Sequence, residues 1–318
     1  MLNSDKKSSR MYKIKPIINR EKRYSLRLAD GQEWQFIPTE GVRTWVEKLA
    51  SIMELEKCEP NGYPNLIFVK GKFNKDGEWS PSRPQITNIH ENLPKNGWKQ
   101  HNLRALRLWY HRDVEDIICE IGPHKCPILD INRMWLSLYP IYKQVLDSGG
   151  LPMHTALVEW NGVGILLSAP GNTGKSTCCR RFPSSWQALG DDEALIVLDK
   201  KRRYRVHALP TWSDFHSGLS ERTWSVQKNL PLFAIFFLEQ GKTDQVFPIG
   251  QGEGAILTNQ SARHVFRRSW INMDRNEEIL LKKKLIDNAS KIARAIPTYK
   301  LRASLTGRFW EEMEKILI

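Results

Sequence analysis

The stretch that decides the fold of the second half of this chain is residues 164–177, GILLSAPGNTGKST. Its apolar beginning predicts a β-strand, and Gly174-Lys175-Ser176-Thr177 opens a helix. The turn between them bears glycine, and its backbone N–H groups make a concave anion site, helped by the helix N-terminus. This is the pattern of a P-loop, which binds the phosphates of a nucleoside triphosphate.

Each position of the motif has a predicted task. Lys175 would reach the β- and γ-phosphates, and the Ser176 hydroxyl would ligate Mg²⁺. The other predicted nucleotide-binding positions are Gly171, Asn172, Thr173, Gly174 and Thr177. The motif departs from the consensus at Ala169, where a glycine is expected, and the adjacent Pro170-Gly171 offers another way to form the turn. The alternative is a chance match in a glycine-rich turn that feeds a helix.

Candidate catalytic side chains lie at suitable distances from Lys175. Asp191 and Asp192 follow it by 16 and 17 residues, just before a predicted strand at 193–198. One carboxylate can accept a hydroxyl proton while the other holds metal, although an exposed acidic turn is the plainer alternative. His154 precedes the lysine by 21 residues. It is either a structural histidine or a group near the transferred phosphoryl, where its protonation would matter at physiological pH.

Three elements together resemble the core of the HPr kinase/phosphorylase family over roughly residues 151–260. They are Met153-His154, Lys175 and Gly190-Asp191-Asp192. The resemblance implies that Asp191 is the base that activates an acceptor serine, that Asp192 and Ser176 hold Mg²⁺, and that His154 lies near the phosphate. It also implies an α/β P-loop kinase domain, with ATP as the donor and GTP not excluded.

The resemblance has one clear departure. The arginine- and glycine-rich signature tied to the family's phosphorylase reaction is replaced here by residues 209–215, LPTWSDF. The reverse reaction and HPr itself as the substrate are therefore not implied. Asp214 in this segment is either a further catalytic-loop carboxylate or an ordinary turn residue.

The chain is also similar to HPr-kinase-like proteins of peptide natural-product gene clusters, including the kinases that modify lasso-peptide precursors. The similarity rests on residues 236–244 and on Pro297, Leu301 and Phe309-Trp310. It implies that the phosphoryl group goes to a serine of a peptide or small protein, such as a precursor peptide.

Residues 1–150 are predicted to form a smaller α+β domain, for which substrate binding is one role. The predicted elements are a hairpin at 24–36 around Asp30-Gly31, a helix at 42–53, strands at 66–69 and 117–121, long loops over 71–100, and a helix at 134–146 that is kinked or started at Pro140. Ser148-Gly149-Gly150 predicts the end of that helix, and we set the domain boundary there.

Residues 151–318 are predicted to form the HPr-kinase-like domain, with a helical C-terminal tail. The predicted elements are strands at 155–160 and 164–168 joined by Asn161-Gly162, a strand at 193–198, a strand at 233–238 buried on both faces, and a helical tail over 276–318 interrupted at Pro297. The fold class is thus α/β for the second domain and α+β overall.

Charge and hydropathy reduce the classes of partner that are expected for this chain. The net charge of +13 is spread along the chain, with its densest groups at Lys6–Arg23, Lys200–Arg205 and Lys282–Lys284. Because no zinc-finger or RNP-like motif accompanies these groups, nucleic acid is not the favoured partner. No run approaches the roughly 20 apolar residues that a membrane span needs. The basic N-terminus lacks a secretory pattern, so we expect a cytoplasmic protein that makes no membrane contact.

Two other functions stay open at this point. The same core builds kinases of small molecules, and a nucleotide-dependent regulatory or nucleic-acid-binding protein would use the positive charge.

The five cysteines are odd in number and lack CxxC spacing, so reduced, buried thiols are expected. The oligomeric state, a homo-oligomer included, is not determined by the sequence.

Overall fold

The computed structural model describes residues 22–71, 94, 96–103, 106–122, 127–215, 220–267, 269–270 and 273–317. Within these residues the protein is mixed α/β, as the fold-class prediction stated, and it contains two mixed sheets. Most of the basic N-terminal group, most of the predicted loops over 71–100, and Cys126 lie outside the described residues. No helix in the described ranges is long and apolar enough to cross a membrane.

The first sheet has seven strands in the order β3-β1-β2-β4-β7-β6-β5. Its elements and the two helices that follow are β1 Arg23–Arg27, β2 Glu33–Pro38, α1 Arg43–Ile52, β3 Glu56–Cys58, β4 Asn65–Lys70, β5 Lys99–Leu103, β6 Leu106–His111, β7 Val114–Ile121, α2 Pro127–Ser137 and α3 Tyr139–Asp147. The predicted first hairpin, the helix after it and the strands at 66–69 and 117–121 are therefore confirmed.

The second sheet has nine strands in the order β11-β9-β10-β14-β13-β12-β8, with β16 beside β14 and β15 beside β16. Its elements are β8 Leu151–Met153, β9 Thr155–Trp160, β10 Val163–Ser168, α4 Lys175–Arg181, β11 Trp186–Gly190, β12 Ala194–Leu198, β13 Tyr204–Ala208, a 3-10 turn at Trp212–Phe215, β14 Asn229–Gln240, β15 Gln245–Pro248, α5 Gln251–Phe266, α6 Arg275–Ala295, β16 Thr298–Ala303 and α7 Phe309–Leu317.

The segment between the two sheets contains two helices where the sequence predicted one. The break falls at Leu138, and Pro140 lies in the first turn of α3, where its missing N–H costs no hydrogen bond. Gly149 ends α3 with φ +91°, a conformation that suits glycine. A single buried cluster contains side chains of both sheets, for example Trp34 and Ile196. The division into domains at residue 150 stays a prediction.

The hairpin that leads into the predicted P-loop is confirmed. Asn161 and Gly162 have φ of +51° and +79°, the pair of positive angles that a two-residue type I′ turn requires. β10 is antiparallel to β9 and parallel to β14. β14 is longer than predicted, and it is buried on both faces from Ala234 to Leu238.

The predicted helical tail is wrong over residues 298–303. After α6 and Pro297 the chain forms β16, which runs parallel to β14, and only then α7. The half-exposed Lys300 and Arg302 alternate with buried Leu301 and Ala303, so the strand carries too little apolar character to stand out from its helical neighbours.

Helices cover both faces of the second sheet. The buried cluster on one face includes side chains of α4 and α7, and the cluster on the other includes side chains of α5 and α6. Because β10, β14 and β16 are parallel, their carboxyl ends at Ser168, Gln240 and Ala303 share one edge. Ligands bind at such edges in open α/β sheets.

Candidate active site

The predicted phosphate loop follows β10 at this edge. Asn172 and Gly174 have φ of +63° and +106°, in the left-handed region that glycine and asparagine tolerate best. Ala169 is buried and has no positive φ, so the turn forms without a glycine at that position. Pro170 and Gly171 are exposed. The sequence departure at position 169 therefore introduces no backbone strain.

Lys175 is turned into the protein from the first residue of α4. Its side chain is buried, and its Nζ donates to the Ala169 carbonyl oxygen at 3.0 Å and lies 2.9 Å from His154 Nε2. Burial lowers the pKa of Lys175, and the nearby carboxylates of Asp192 and Asp191 oppose this. Since an ammonium has three N–H donors, one remains beyond these two contacts.

His154 links the loop to the neighbouring helix and strand. Burial, followed by Lys175 and then His264, lowers the pKa of His154 to about 3. The imidazole is therefore neutral at physiological pH and accepts a hydrogen bond from the Lys175 ammonium. That His154 lies near the transferred phosphoryl group stays a prediction. The ring also stacks on His264, with the centroids 4.4 Å apart.

The aspartate pair lies close enough to affect the pKa of Lys175, and its two members are held differently. The Asp191 backbone N–H donates to Thr211 Oγ1 at 3.2 Å, while its carboxylate Oδ1 is buried without a hydrogen-bond partner. Asp192 Oδ2 accepts from the Ser213 backbone N–H at 2.8 Å. The Asp192 carbonyl oxygen also accepts from the N–H of Thr155, which joins the pair to β9. One carboxylate is thus anchored, and the other presents an unpaired oxygen.

A third carboxylate, Asp214, belongs to the same cluster. Burial, and after it the negative charge of Asp191, raises the pKa of Asp214, whereas Arg222 lowers it. The Arg222 guanidinium lies 3.6 Å from Asp214 Oδ2. The sequence left two interpretations open for Asp214. The structure places this residue at the site, close to Asp191.

Helix α5 supplies a wall that the sequence did not predict. Ser261 Oγ donates to the His154 carbonyl oxygen at 2.9 Å and accepts from Ser168 Oγ at 3.1 Å. The missed signal is the helical spacing of buried residues, which are Ala255, Thr258, Ala262, Val265 and Phe266. Gly252 and Gly254 weaken that signal. Gly254 is required where α5 crosses β16, because a Cβ there would lie 2.5 Å from Thr298 Oγ1.

A pocket of about 460 Å³ opens between the phosphate loop, α5 and the carboxyl end of β14. It is lined by His154, Ser168, Ala169, Pro170, Thr173, Phe237, Leu238, Glu239, Leu257, Gln260, Ser261, His264 and Lys300. Such volumes are typical of small-molecule sites, roughly 300–1,000 Å³. The pocket adjoins the site formed by Lys175.

The donor set at the site fits magnesium. The Ser176 hydroxyl and the carboxylates of Asp191 and Asp192 are hard oxygen donors, and Asp191 Oδ1 is without a partner. Among the described residues no group of three or more His, Cys, Asp or Glu side chains is arranged to hold a metal. Mg²⁺ does not need one, since it usually takes one or two carboxylates together with substrate phosphates.

The structure therefore brings Lys175, His154, Asp191 and Asp192 together at one edge of the second sheet. Gly171 to Gly174 form the turn, and Ser176 and Thr177 follow in the first turn of α4, where both are half-buried.

The chain belongs to the ScmC family, described as SynChlorMet cassette protein ScmC, whose model matches residues 117–318. The match begins within β7 and includes the whole of the second sheet. No curated protein matches the chain.

Proposed function

We propose that the chain is a Mg²⁺-dependent kinase that transfers the γ-phosphoryl group of ATP, or of GTP, to a serine hydroxyl of a peptide or small protein. The P-loop pattern together with the resemblance to the HPr kinase family motivates this proposal. The observation that carries it is the convergence of Lys175 and of Asp191, with its unpaired buried oxygen, beside the loop.

The proposed chemistry relies on positioning and charge neutralisation. The loop amides and Lys175 bind the phosphates. The serine oxygen forms a bond to the γ-phosphorus while the bond from that phosphorus to the β,γ-bridging oxygen breaks. Asp191 accepts the hydroxyl proton, and the nucleoside diphosphate leaves. Magnesium, held by Ser176 and Asp192, would neutralise phosphate charge when bound.

His154 has a positioning role in this scheme. As a neutral acceptor 2.9 Å from Lys175 Nζ, it holds the ammonium at the mouth of the loop without adding a second positive charge. Ser261 fixes the backbone of the histidine in turn, and Ser168 donates to Ser261.

The side of the site formed by the carboxylates favours an extended acceptor. Asp214 and Arg222 are at least one-third exposed there, and residues 221–223 are exposed. The net charge of +13 favours an acidic acceptor. In line with the similarity to lasso-type precursor kinases, and with a family described as a cassette protein, we propose a precursor peptide encoded in the same cassette.

A small-molecule kinase is the second candidate, and the pocket of about 460 Å³ is the observation that favours it. In that case the acceptor would occupy the pocket and no peptide would be modified.

An intact-mass assay tests the proposal. The full chain is incubated with Mg²⁺, ATP or GTP, and either the precursor peptide encoded beside it or a pool of serine peptides. Mass increments of one or more phosphates, absent with Asp191→Asn and present with the half-exposed control Asp113→Asn, are the expected result. Unmodified peptides in the presence of bound nucleotide would reject a peptide kinase.

A further inference from the structure

The pocket beside the phosphate loop has a composition that separates it from the carboxylate cluster. Its lining includes Ala169, Pro170 and Thr173 of the loop but none of Asp191, Asp192 and Asp214. An acceptor hydroxyl has to lie within hydrogen-bond reach of the base that deprotonates it. The acceptor therefore belongs on the carboxylate side, and the pocket is left for another part of the reacting complex.

The charges of the pocket lining argue against a phosphate site. Its one lysine, Lys300, lies 2.6 Å from Glu253 and 3.7 Å from Glu239, so its charge is compensated. The Lys175 ammonium, beside the pocket rather than in its lining, is where the phosphates are proposed to bind.

The walls of the pocket suit a flat, uncharged ring. Leu257 of α5 and Phe237 and Leu238 of β14 provide apolar surface, while Gln260 and His264 offer polar edges. Ring-shaped ligands gain from burial against such walls, and a few polar groups fix their orientation.

We propose that this pocket, between α5 and the carboxyl end of β14, holds the base and ribose of the nucleotide, with the phosphates extending past Thr173 to Lys175. The inference rests on the proposed function and goes beyond it, because the P-loop pattern identifies no base pocket. Leu257 and Gln260 become residues that recognise the nucleoside.

The test compares two ligands that share phosphates and differ in the nucleoside. Calorimetric titrations with ATP and with inorganic tripolyphosphate, both with Mg²⁺, are made on the full chain. Leu257→Trp, which fills the pocket, is expected to weaken ATP binding by about tenfold or more and to leave tripolyphosphate binding within about twofold. The matched control is Ile256→Trp on the exposed side of the same helix, for which both affinities stay within about twofold.

Thermal unfolding checks that each variant is folded. Should Leu257→Trp fail to fold, Leu257→Ala takes its place and is expected to weaken ATP binding by about threefold without affecting tripolyphosphate.

Equal losses for the two ligands, or no loss for either, would overturn the pocket assignment while leaving the kinase proposal intact. So would unchanged ATP binding with loss of phosphotransfer in Leu257→Trp, since that result places the acceptor in the pocket. A wild-type chain that binds neither ligand would overturn the proposed function, and the pocket assignment with it.

Discussion

The two sheets of this protein use buried polar side chains in opposite ways. In the first sheet such groups contact one another. The Arg107 guanidinium lies 3.7 Å from Glu120, which also accepts from the Trp109 indole at 3.0 Å, and Asn65 donates twice to Asp116. These groups lie within the strands or at their ends, and each contacts another polar side chain of the same sheet.

In the second sheet the polar groups converge on one edge. Lys175 contacts a neutral histidine and a carbonyl oxygen rather than a carboxylate, and Asp191 leaves a buried oxygen without a partner. Unpaired buried polar groups are costly, so a fold retains them where a ligand completes the set. The polar groups of the first sheet thus contact one another, whereas those of the second sheet gather at the edge where ligands bind in open α/β sheets.

The largest expected effect is that of Lys175→Ala. Removing the ammonium takes away the charge that we propose binds the phosphates, so phosphotransfer is expected to fall by about a thousandfold or more and nucleotide binding to weaken. Intact-mass kinetics and calorimetry measure the two effects. Lys201→Ala, an exposed lysine between β12 and β13, is the control and is expected to behave as wild type. Turnover near the wild-type rate in Lys175→Ala would contradict the proposed role of Lys175 in binding the phosphates, and with it the functional contrast between the two sheets.

Asp191→Asn is expected to separate binding from chemistry. The amide keeps the shape of the side chain but cannot accept the hydroxyl proton, so transfer falls by about a hundredfold or more while the nucleotide Kd changes little. The same titrations and mass kinetics apply, with Asp113→Asn as the control. If Asp192→Asn lost transfer at unchanged affinity while Asp191→Asn did not, the two roles would be reversed.

In the first sheet we expect the opposite outcome, a loss of stability without a change in nucleotide affinity. Glu120→Ala removes the carboxylate beside the buried Arg107 guanidinium and the acceptor of the Trp109 indole, which costs about 3 kcal/mol of unfolding free energy. Denaturant unfolding measures the loss, and the nucleotide Kd of the folded variant stays at the wild-type value. A Kd that changed with Glu120 would show that the first sheet contributes to the site.

The smallest effect concerns a histidine at the junction of the two sheets. His207 is fully buried, and its Nε2 accepts from the Ala29 N–H of the first hairpin at 3.1 Å. Burial lowers the pKa of His207 to about 4. Its folded pKa lies below the unfolded value, so its stabilising effect is present above pH 6.5 and is lost as the pH falls toward 4.

That shift predicts a loss of roughly 2 kcal/mol of unfolding free energy between pH 7 and pH 5 from this residue. Denaturant unfolding at the two pH values measures this loss. The unfolding free energy is expected to fall more between pH 7 and pH 5 in the wild type than in His207→Gln. Identical pH dependence in the two proteins would mean that His207 titrates normally.

Local patterns in the sequence predicted much of this arrangement. The hairpins at Asp30-Gly31 and Asn161-Gly162, the loop before Lys175 and the strand after Asp192 depend on residues close together in the chain, and all form where expected. All of these elements except the hairpin at Asp30-Gly31 carry the candidate phosphate site.

The remainder depends on contacts between distant parts of the chain. The sequence pattern of α5 is weakened by its glycines, and the helix fits against β16 because Gly254 has no Cβ to collide with Thr298. β16 becomes a strand by pairing with β14, which precedes it by nearly sixty residues. The position of Asp214 beside Asp191 likewise follows from tertiary structure. The pocket is built from these elements, so no local pattern could indicate it.

Amide hydrogen exchange with and without Mg²⁺ and ATP tests the central claim most directly, because it examines both sheets at once. The account predicts slower exchange on nucleotide binding over residues 169–177 and 190–193 and at the end of β14, with unchanged exchange in β1, β2 and β4. Protection confined to the first sheet, or none anywhere in the chain, would contradict the assignment of the second sheet's edge as the nucleotide site.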